Sequence, residues 1–124
     1  MVPSVVETDV AEWRDLLARH AAVTGALDRA LADHDLGVSE YEVLERLAEI
    51  SECSARAQQL AGELYLSQSA LSRVIARLEK AGLVERAMCV EDRRGIFVKL
   101  TPAGAERHAV AKATHRKVLA DHLH

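Results

Sequence analysis

The chain has 124 residues, a length that suits one domain with its own hydrophobic core. Hydrophobic residues make up 49% and charged residues 28%, which is ordinary globular usage and excludes a disordered chain. One Trp, two Tyr and one Phe are too few for an aromatic platform that stacks single-stranded nucleic acid. No apolar run exceeds four residues, and the start, MVPSVVETDV, is acidic. The sequence therefore predicts a cytoplasmic protein with no membrane span and no secretory signal.

The net charge of −3 is unevenly distributed along the chain. Residues 1–53 carry 4 basic and 12 acidic side chains, whereas residues 54–99 carry 8 basic and 5 acidic ones. Residues 100–124 carry 4 basic and 2 acidic side chains. This asymmetry indicates that the acidic first part and the basic middle part contact different partners, although solvated faces of random charge would give the same pattern.

The two cysteines, Cys53 and Cys89, are 36 positions apart and form no CxxC pair. A disulfide framework is not expected in a reducing compartment, so both are predicted to act as small apolar side chains. A redox-sensing role for either thiol stays open, because it depends on exposure and on a lowered pKa.

Apolar residues at helical intervals predict a long first helix over about residues 8–34. Ser39, followed by Glu42 three residues later, predicts the capping box of a second helix. A short third helix is predicted over about residues 55–64. The predicted buried stripe of the second helix consists of Tyr41, Leu44, Leu47 and Ala48.

The second half of the chain carries clearer boundary signals. Ser67 is the predicted N-cap of a fourth helix, and Gly82 follows its end at the usual C′ position. The period then changes, and residues 83–90 and 96–100 predict two strands joined at a charged tip, residues 91–95. Thr101 followed by Pro102 marks the start of a last helix. The predicted order is ααααββα, mainly α with a small β-hairpin.

The fourth helix has one apolar and one polar face. Leu71, Val74, Ile75 and Leu78 share a side and are predicted to pack inward. The first turns of the opposite side carry groups that can bond base edges, and its last turns carry cations that suit phosphates. This is the pattern of a recognition helix whose first turns enter a major groove. Its candidate DNA-binding residues are Gln68, Ser69, Ser72, Arg73, Arg77 and Lys80.

The predicted hairpin strengthens this interpretation. Arg93 and Arg94 stand at its tip, where they are able to reach an adjacent minor groove with its concentrated negative potential. Arg86 and Lys99 are further candidates for phosphate contacts. A charged hairpin tip alone is usually only a solvated turn, but directly after a recognition-type helix it indicates a wing.

The sequence from residue 60 to 105 resembles the winged helix-turn-helix of the MarR family of regulators. The matching segments are Leu60-Ala61, Ser67 with Ser72-Arg73, Leu78-Glu79, Gly82-Leu83-Val84, Asp92-Arg93-Arg94-Gly95, and Leu100-Thr101 with Gly104. The long first helix fits as well, so the resemblance covers nearly the whole chain. At the C-terminus the chain departs from the pattern, since relatives usually continue through a further helix; the extent of a dimer interface is left open.

The resemblance implies a single domain, residues 1–124, with a DNA-binding lobe at 39–100 and dimerisation helices at 8–36 and 102–124. It implies a homodimeric regulator, a repressor or an activator, that binds double-stranded DNA at a pseudo-palindromic site. It places Arg94 in the minor groove, with Asp92 orienting Arg94 or Arg77. Relatives often bind phenolic or other amphipathic effectors in a cleft between the dimer helices and the lobe. The candidates for such contacts are Trp13, His20 and Tyr41.

The sequence offers no support for an enzyme or a cofactor, because it contains no Gly-rich phosphate loop and no nucleophile motif. His108, His115 and His122 recur every seven residues, about 10 Å apart along a helix, which is too far for one metal ion. They are predicted to be surface residues. The alternative to DNA binding is a winged helix used for protein contacts, whose outer face would tolerate apolar or acidic residues.

Overall fold

A computed structural model describes residues 5–50, 55–89 and 92–124, with side chains described at 6–50, 59–87 and 97–124. Cys53 and the side chain of Cys89 lie outside the described part. The helices are α1 (Val5–Leu31), a 3-10 turn (Ala32–His34), α2 (Val38–Glu49), α3 (Ala57–Leu64), α4 (Gln68–Lys80) and α5 (Pro102–Leu123). The strands are β1 (Ala55–Arg56), β2 (Val84–Cys89) and β3 (Asp92–Leu100). No helix in the described part is long and apolar enough to cross a membrane.

The core lies where α2, α3 and α4 meet the C-terminal half of α1 and the sheet. Its fully buried side chains include Leu31, Tyr41, Leu44, Leu60 and Leu78. α5 packs along α1 and also contacts α2. The buried stripe predicted for α2 is confirmed for Tyr41, Leu44 and Leu47. Ala48 is exposed, and Val43 is buried instead.

α2 begins two residues earlier than predicted, so the Ser39 cap is wrong. The N-cap is Gly37, whose N–H donates to Glu40 Oε1 over 3.1 Å. The next amide, that of Val38, donates to Asp28 Oδ1 over 2.9 Å. A side chain of α1 therefore satisfies one of the free N–H groups at the start of α2, an arrangement that local sequence cannot reveal.

Both predicted ends of α4 are confirmed. Ser67 Oγ accepts a hydrogen bond from the Ala70 N–H over 3.1 Å, as an N-cap should. At the other end, Gly82 adopts a left-handed φ of 78°. Its N–H donates to the Glu79 carbonyl, and the Leu83 N–H donates to the Leu78 carbonyl. These two bonds form a Schellman motif, which fixes the direction in which the chain leaves α4.

The sheet differs from the prediction in two respects. Its strand order is β1-β3-β2, because the short β1 pairs antiparallel with β3 through Ala55–Val98 and Arg56–Phe97. The prediction missed β1 since a two-residue strand has no alternation to detect. The second difference is that β3 begins at Asp92, which pairs with Cys89. Arg93 and Arg94 therefore belong to a strand, and not to the connection predicted at 91–95.

The predicted start of the last helix is confirmed. Residues at this start contact the turn that ends α4. Thr101 Oγ1 accepts from the Gly104 N–H over 3.1 Å and donates to the Gly82 carbonyl over 2.6 Å. The Thr101 N–H donates to the Leu83 carbonyl over 3.1 Å. A side chain at Gly104 would overlap this same carbonyl, so only glycine allows so close an approach.

We expect Gly104→Ala to destabilise the protein by about 2–4 kcal/mol, because the new methyl group must push α5 away from the Leu83 backbone. The matched control is Gly62→Ala in α3, where nothing lies within 4 Å of the new methyl group. This control should be neutral or stabilising by up to about 1 kcal/mol, since Ala has the higher helix propensity. Urea unfolding of both variants measures the effect. Equal stability of the two variants would contradict the close approach.

Candidate nucleic-acid interface

The two faces of α4 are as predicted. Leu71, Val74, Ile75 and Leu78 are buried and hold the helix against the core. The outward face is exposed along its full length. It consists of Gln68, Ser69, Ser72, Arg73, Ala76, Arg77 and Lys80. Because the inner face is fixed by packing, the polar side chains are presented on a rigid element, which a reading surface requires.

Charges at the edge of α4 are partly neutralised. Glu79 lies beside the outward face, and its carboxylate is paired with Arg86 Nε at 3.4 Å. Lys99 is paired with Glu85 at 3.3 Å. Arg86 and Lys99, expected as phosphate contacts, therefore have acidic partners already. Among the described residues no ion pair involves Arg73, Arg77 or Lys80. On this surface, the described cations without an acidic partner are therefore those of α4 itself.

The predicted wing residues are placed only by their backbones. Asp92, Arg93 and Arg94 form the first residues of β3, next to the end of β2. Their side chains lie outside the described part of the structure. The ion pair expected between Asp92 and Arg94 or Arg77 is therefore still a prediction.

The turn between α3 and α4 carries an exposed aromatic side chain. Tyr65 has a left-handed φ of 56° and is 94% exposed. The turn is closed by the Leu66 N–H, which donates to the Ala61 carbonyl over 3.0 Å. A left-handed backbone costs a non-glycine residue about 1 kcal/mol. The exposure of this tyrosine has no local signal in the sequence and could not be predicted from it.

A cleft of about 650 Å³ lies between α1, the start of α2 and the α3–α4 turn. Its lining includes His20 and Asp28 from α1, Glu42 from α2, Tyr65, and Arg77 from α4. Of the three predicted effector contacts, only His20 lines this cleft. Trp13 is exposed nearer the N-terminus of α1, and Tyr41 is completely buried.

Tyr41 belongs to a polar cluster between α2 and α5, which we call the α2–α5 cluster. Its centre is the Glu45 carboxylate, with a side chain only 14% exposed. Glu45 Oε1 accepts from the Tyr41 hydroxyl and from Arg116, both over 2.8 Å, and contacts His108 Nε2 at 3.3 Å. His115 stacks on the Tyr41 ring with centroids 4.3 Å apart, and its Nε2 contacts Glu42 Oε1 at 3.3 Å.

The cluster corrects the prediction that the regularly spaced histidines lie on the surface. His115 is only 4% exposed, and the side chain of His108 is mostly buried; His122 is exposed as predicted. The seven-residue spacing places His108 and His115 on one face of α5. This face packs against α2, where Glu42 and Glu45 contact the two histidines. The described residues contain no group of three or more side chains suited to a metal ion.

The cluster changes the acidity of its members. Burial raises the pKa of Glu45, but hydrogen bonds from Arg116, Tyr41 and His108 more than offset this and lower the pKa to about 2. Burial and the bond to Glu45 raise the pKa of Tyr41. The hydrogen bond to Glu45 raises the pKa of Arg116. At neutral pH Glu45 is thus held ionised and Tyr41 neutral, so the Tyr41 hydroxyl donates to the Glu45 carboxylate.

Comparisons with known proteins identify relatives of the chain. The sequence model of the MarR family matches residues 36–96. No curated protein matches. AbsC, a MarR family transcriptional regulator from Streptomyces coelicolor, is 32% identical, with a TM-score of 0.84 over 98% of this chain and 82% of its own. A second MarR family transcriptional regulator from S. coelicolor, solved in complex with DNA, is 29% identical, with a TM-score of 0.84 over 98% and 76%. CouR from Rhodococcus jostii, bound to p-coumaroyl-CoA, is 30% identical, with a TM-score of 0.79 over 86% and 74%.

We expect Glu45→Gln to destabilise the protein by on the order of 3 kcal/mol at pH 7. The carboxylate has a lower pKa in the folded chain than its ordinary value of 4.5, so its charge stabilises the fold above pH 4.5. That stabilisation is lost as the pH falls from 4.5 towards about 2. The difference in free energy of unfolding between wild type and variant should therefore shrink over this range.

Chemical unfolding at a series of pH values measures this difference. Glu49→Gln, on the same helix with a side chain 58% exposed, is the matched control. It should change the free energy of unfolding at pH 7 by less than about 0.5 kcal/mol. A Glu45→Gln curve that runs parallel to wild type across the acid range would show that the carboxylate is not held as described.

Proposed function

Because the chain belongs to the MarR family of transcriptional regulators, we propose that it binds specific sequences of double-stranded DNA as a homodimer and responds to a small effector. The observation that carries the proposal is the outward face of α4, which is exposed, free of acidic side chains and rigidly supported. The relative solved in complex with DNA supports the same reading. Selection of bound duplexes from a random pool tests it, and the selected sequences should contain an inverted repeat.

Residues along α4 take different roles in this proposal. Ser69, Ser72 and Arg73 lie in the first turns, together with Gln68, where a groove-inserted helix meets base edges. Arg73 is able to bond a guanine through two donors. Arg77 and Lys80 lie in the last turns and contact phosphates, which position the protein without reading sequence. Arg94, with Arg93 beside it, enters the adjacent minor groove, and Asp92 orients Arg94 or Arg77.

Dimerisation is supported by apolar side chains that a single chain leaves exposed. Val6, Val10, Trp13 and Leu17 follow one another at helical intervals on α1 and are between 39% and 69% exposed. Val110 and Leu123 of α5 are exposed as well. A contiguous apolar stripe of this kind marks an interaction site. Residues 8–36 and 102–124 are therefore proposed as the dimerisation segments, with the lobe 39–100 reading DNA.

The cleft beside α4 is the proposed effector site. Its volume of about 650 Å³ falls in the range of small-molecule sites. His20 lines it, and Arg77 connects it to the outward face of α4. The relative bound to p-coumaroyl-CoA supports an amphipathic or phenolic effector. Trp13 contributes only if the partner subunit brings it to the cleft, and the completely buried Tyr41 is not an effector contact.

A winged helix that contacts only proteins is the second candidate. It is less favoured, because the face of α4 carries three cations with no acidic partner among the described residues. A gel-shift with any duplex at low salt separates the two, since phosphate contacts give binding that weakens steeply with salt.

Two substitutions on α4 separate specificity from affinity. We expect Arg73→Ala to change the preferred base at one position of each half-site, because a bidentate base contact contributes about 1–3 kcal/mol of discrimination. Lys80→Ala should weaken binding to all duplexes alike and lower the log–log salt slope by about one unit per contact, or about two per dimer. Salt titrations against the selected site and its single-base variants measure both effects.

The control for these titrations is Lys117→Ala, which removes a cation from α5 whose side chain is 77% exposed. It should leave both the base preference and the salt slope unchanged. If Arg73→Ala lowers affinity equally for every duplex, that residue does not read bases and the proposed orientation of α4 is wrong.

The proposed dimer is tested at Leu17, which is 46% exposed in the single chain. Leu17→Glu should weaken dimerisation by at least about tenfold, because a carboxylate would be buried without a partner in the interface. Ala18→Glu adds the same charge at an exposed position away from the apolar stripe and should have little effect. Sedimentation equilibrium measures both. Equal dimerisation of the two variants would remove α1 from the interface.

A further inference from the structure

α5 is attached to the DNA-binding lobe at two separate places. The first is the backbone contact of Thr101 and Gly104 with the turn at Gly82 and Leu83. The second is the α2–α5 cluster, which contains His115, eleven residues beyond Gly104 on the same helix. At 1.5 Å per residue, the two attachments are roughly 16 Å apart along α5. Two separated attachments restrict rotation of the lobe relative to α5 more than either attachment does alone.

The second attachment is directional. Glu45 on α2 contacts two residues of α5: it accepts a hydrogen bond from Arg116 over 2.8 Å and lies 3.3 Å from His108. Tyr41, on α2 itself, donates to the same carboxylate over 2.8 Å. Apolar contacts between the same helices depend on buried area and tolerate small rotations. Hydrogen bonds to one carboxylate weaken steeply as their angles change, and they are stronger when an ionised group takes part. The cluster therefore determines the angle between lobe and helix more sharply than packing alone.

A small rotation about the contact at Thr101 and Gly104 would displace the N-terminal end of α4 by several ångströms. α4 ends at Lys80, close to Gly82, and its thirteen residues extend about 20 Å from there to Gln68. A rotation of about 10° would shift the Gln68 end by roughly 3.4 Å, the rise of one base pair. A small change in the angle between the lobe and α5 therefore gives a large displacement of the residues proposed to face DNA. The α2–α5 cluster holds this angle.

We propose that Glu45 is a positioning residue that sets the distance between the two recognition helices of the dimer, and so the half-site spacing that the protein accepts. The proposal rests on the proposed dimeric DNA binding. Glu45 acts through Arg116, His108 and Tyr41 and makes no contact with DNA. Removing its charge leaves the outward face of α4 intact but loosens the angle at which α2 of the lobe is held against α5.

The experiment uses the selected site and two versions of it with one base pair added or removed between the half-sites. Wild type should bind the altered spacings at least about tenfold more weakly, comparable to the cost of a mismatched base pair. Glu45→Gln should reduce this preference to about threefold or less while keeping the preferred bases. Glu49→Gln, exposed on the same helix, should keep the wild-type preference.

If Glu45→Gln does not fold, Arg116→Gln is the second variant. Its loss is better tolerated, because the Arg116 side chain is 47% exposed. It should broaden the spacing preference too, and the double variant should add little to either single change, as expected for residues that act together. Lower thermal stability alone is the mark of a merely structural role. A folded variant that binds the selected site with an unchanged spacing preference overturns the proposal.

Failure of this inference is distinguishable from failure of the proposed function. If wild type binds no duplex, or binds without any preference for spacing, the dimeric reading of DNA is itself wrong. If wild type discriminates between spacings and both variants do so equally well, only the role of Glu45 is rejected.

Discussion

The architecture depends on the backbone contact between the start of α5 and the turn that ends α4. The Schellman motif at Gly82 fixes how the chain leaves α4, and the Gly82 and Leu83 carbonyls then accept hydrogen bonds from Thr101. Gly104 lets α5 approach that turn without a side chain in between. The end of α4 and the start of α5 are thereby joined by the main chain of the Gly82–Leu83 turn and by the N–H and hydroxyl groups of Thr101. Side-chain substitutions elsewhere can change this joint only indirectly.

The α2–α5 cluster adds to this joint a polar core of unusual composition for so small a domain. An ionised carboxylate is mostly buried there, which is costly unless its hydrogen-bonding capacity is filled. Tyr41, Arg116 and His108 supply the donors, and no buried side-chain nitrogen or oxygen in the described part lacks a partner. Such a network contributes geometry as well as energy, because a fully satisfied set of hydrogen bonds favours one arrangement of α2 and α5.

Most of what the sequence predicted correctly depends on local signals. Ser67, Gly82, Thr101 and Pro102 act within a few residues of their own positions, so the ends of α4 and the start of α5 are where they were expected. The apolar stripe of α4 is equally local, since a helix of known period decides its own faces. The division of α4 into an exposed outward face and a buried face is therefore already visible in the sequence.

The errors occur where a distant residue decides the outcome. Asp28 of α1 binds the start of α2, which moves that start away from Ser39. β1 exists only because β3 offers it a pairing edge. His115 is buried because Tyr41 and Glu42 lie opposite it. In each case the partner is distant in the sequence. The residues nearby therefore do not show whether a position is buried, paired or exposed.

The exposed first half of α1 also affects how the protein folds. Every residue from 6 to 22 is exposed in the single chain, so this part of the helix has little of the tertiary packing on which helices in proteins depend. In the proposed dimer, its order would come from the partner subunit. Folding of α1 and association of two chains are then one coupled equilibrium, and the melting temperature rises with protein concentration. The amount of protein in the cell would thus help determine how much of it is fully folded.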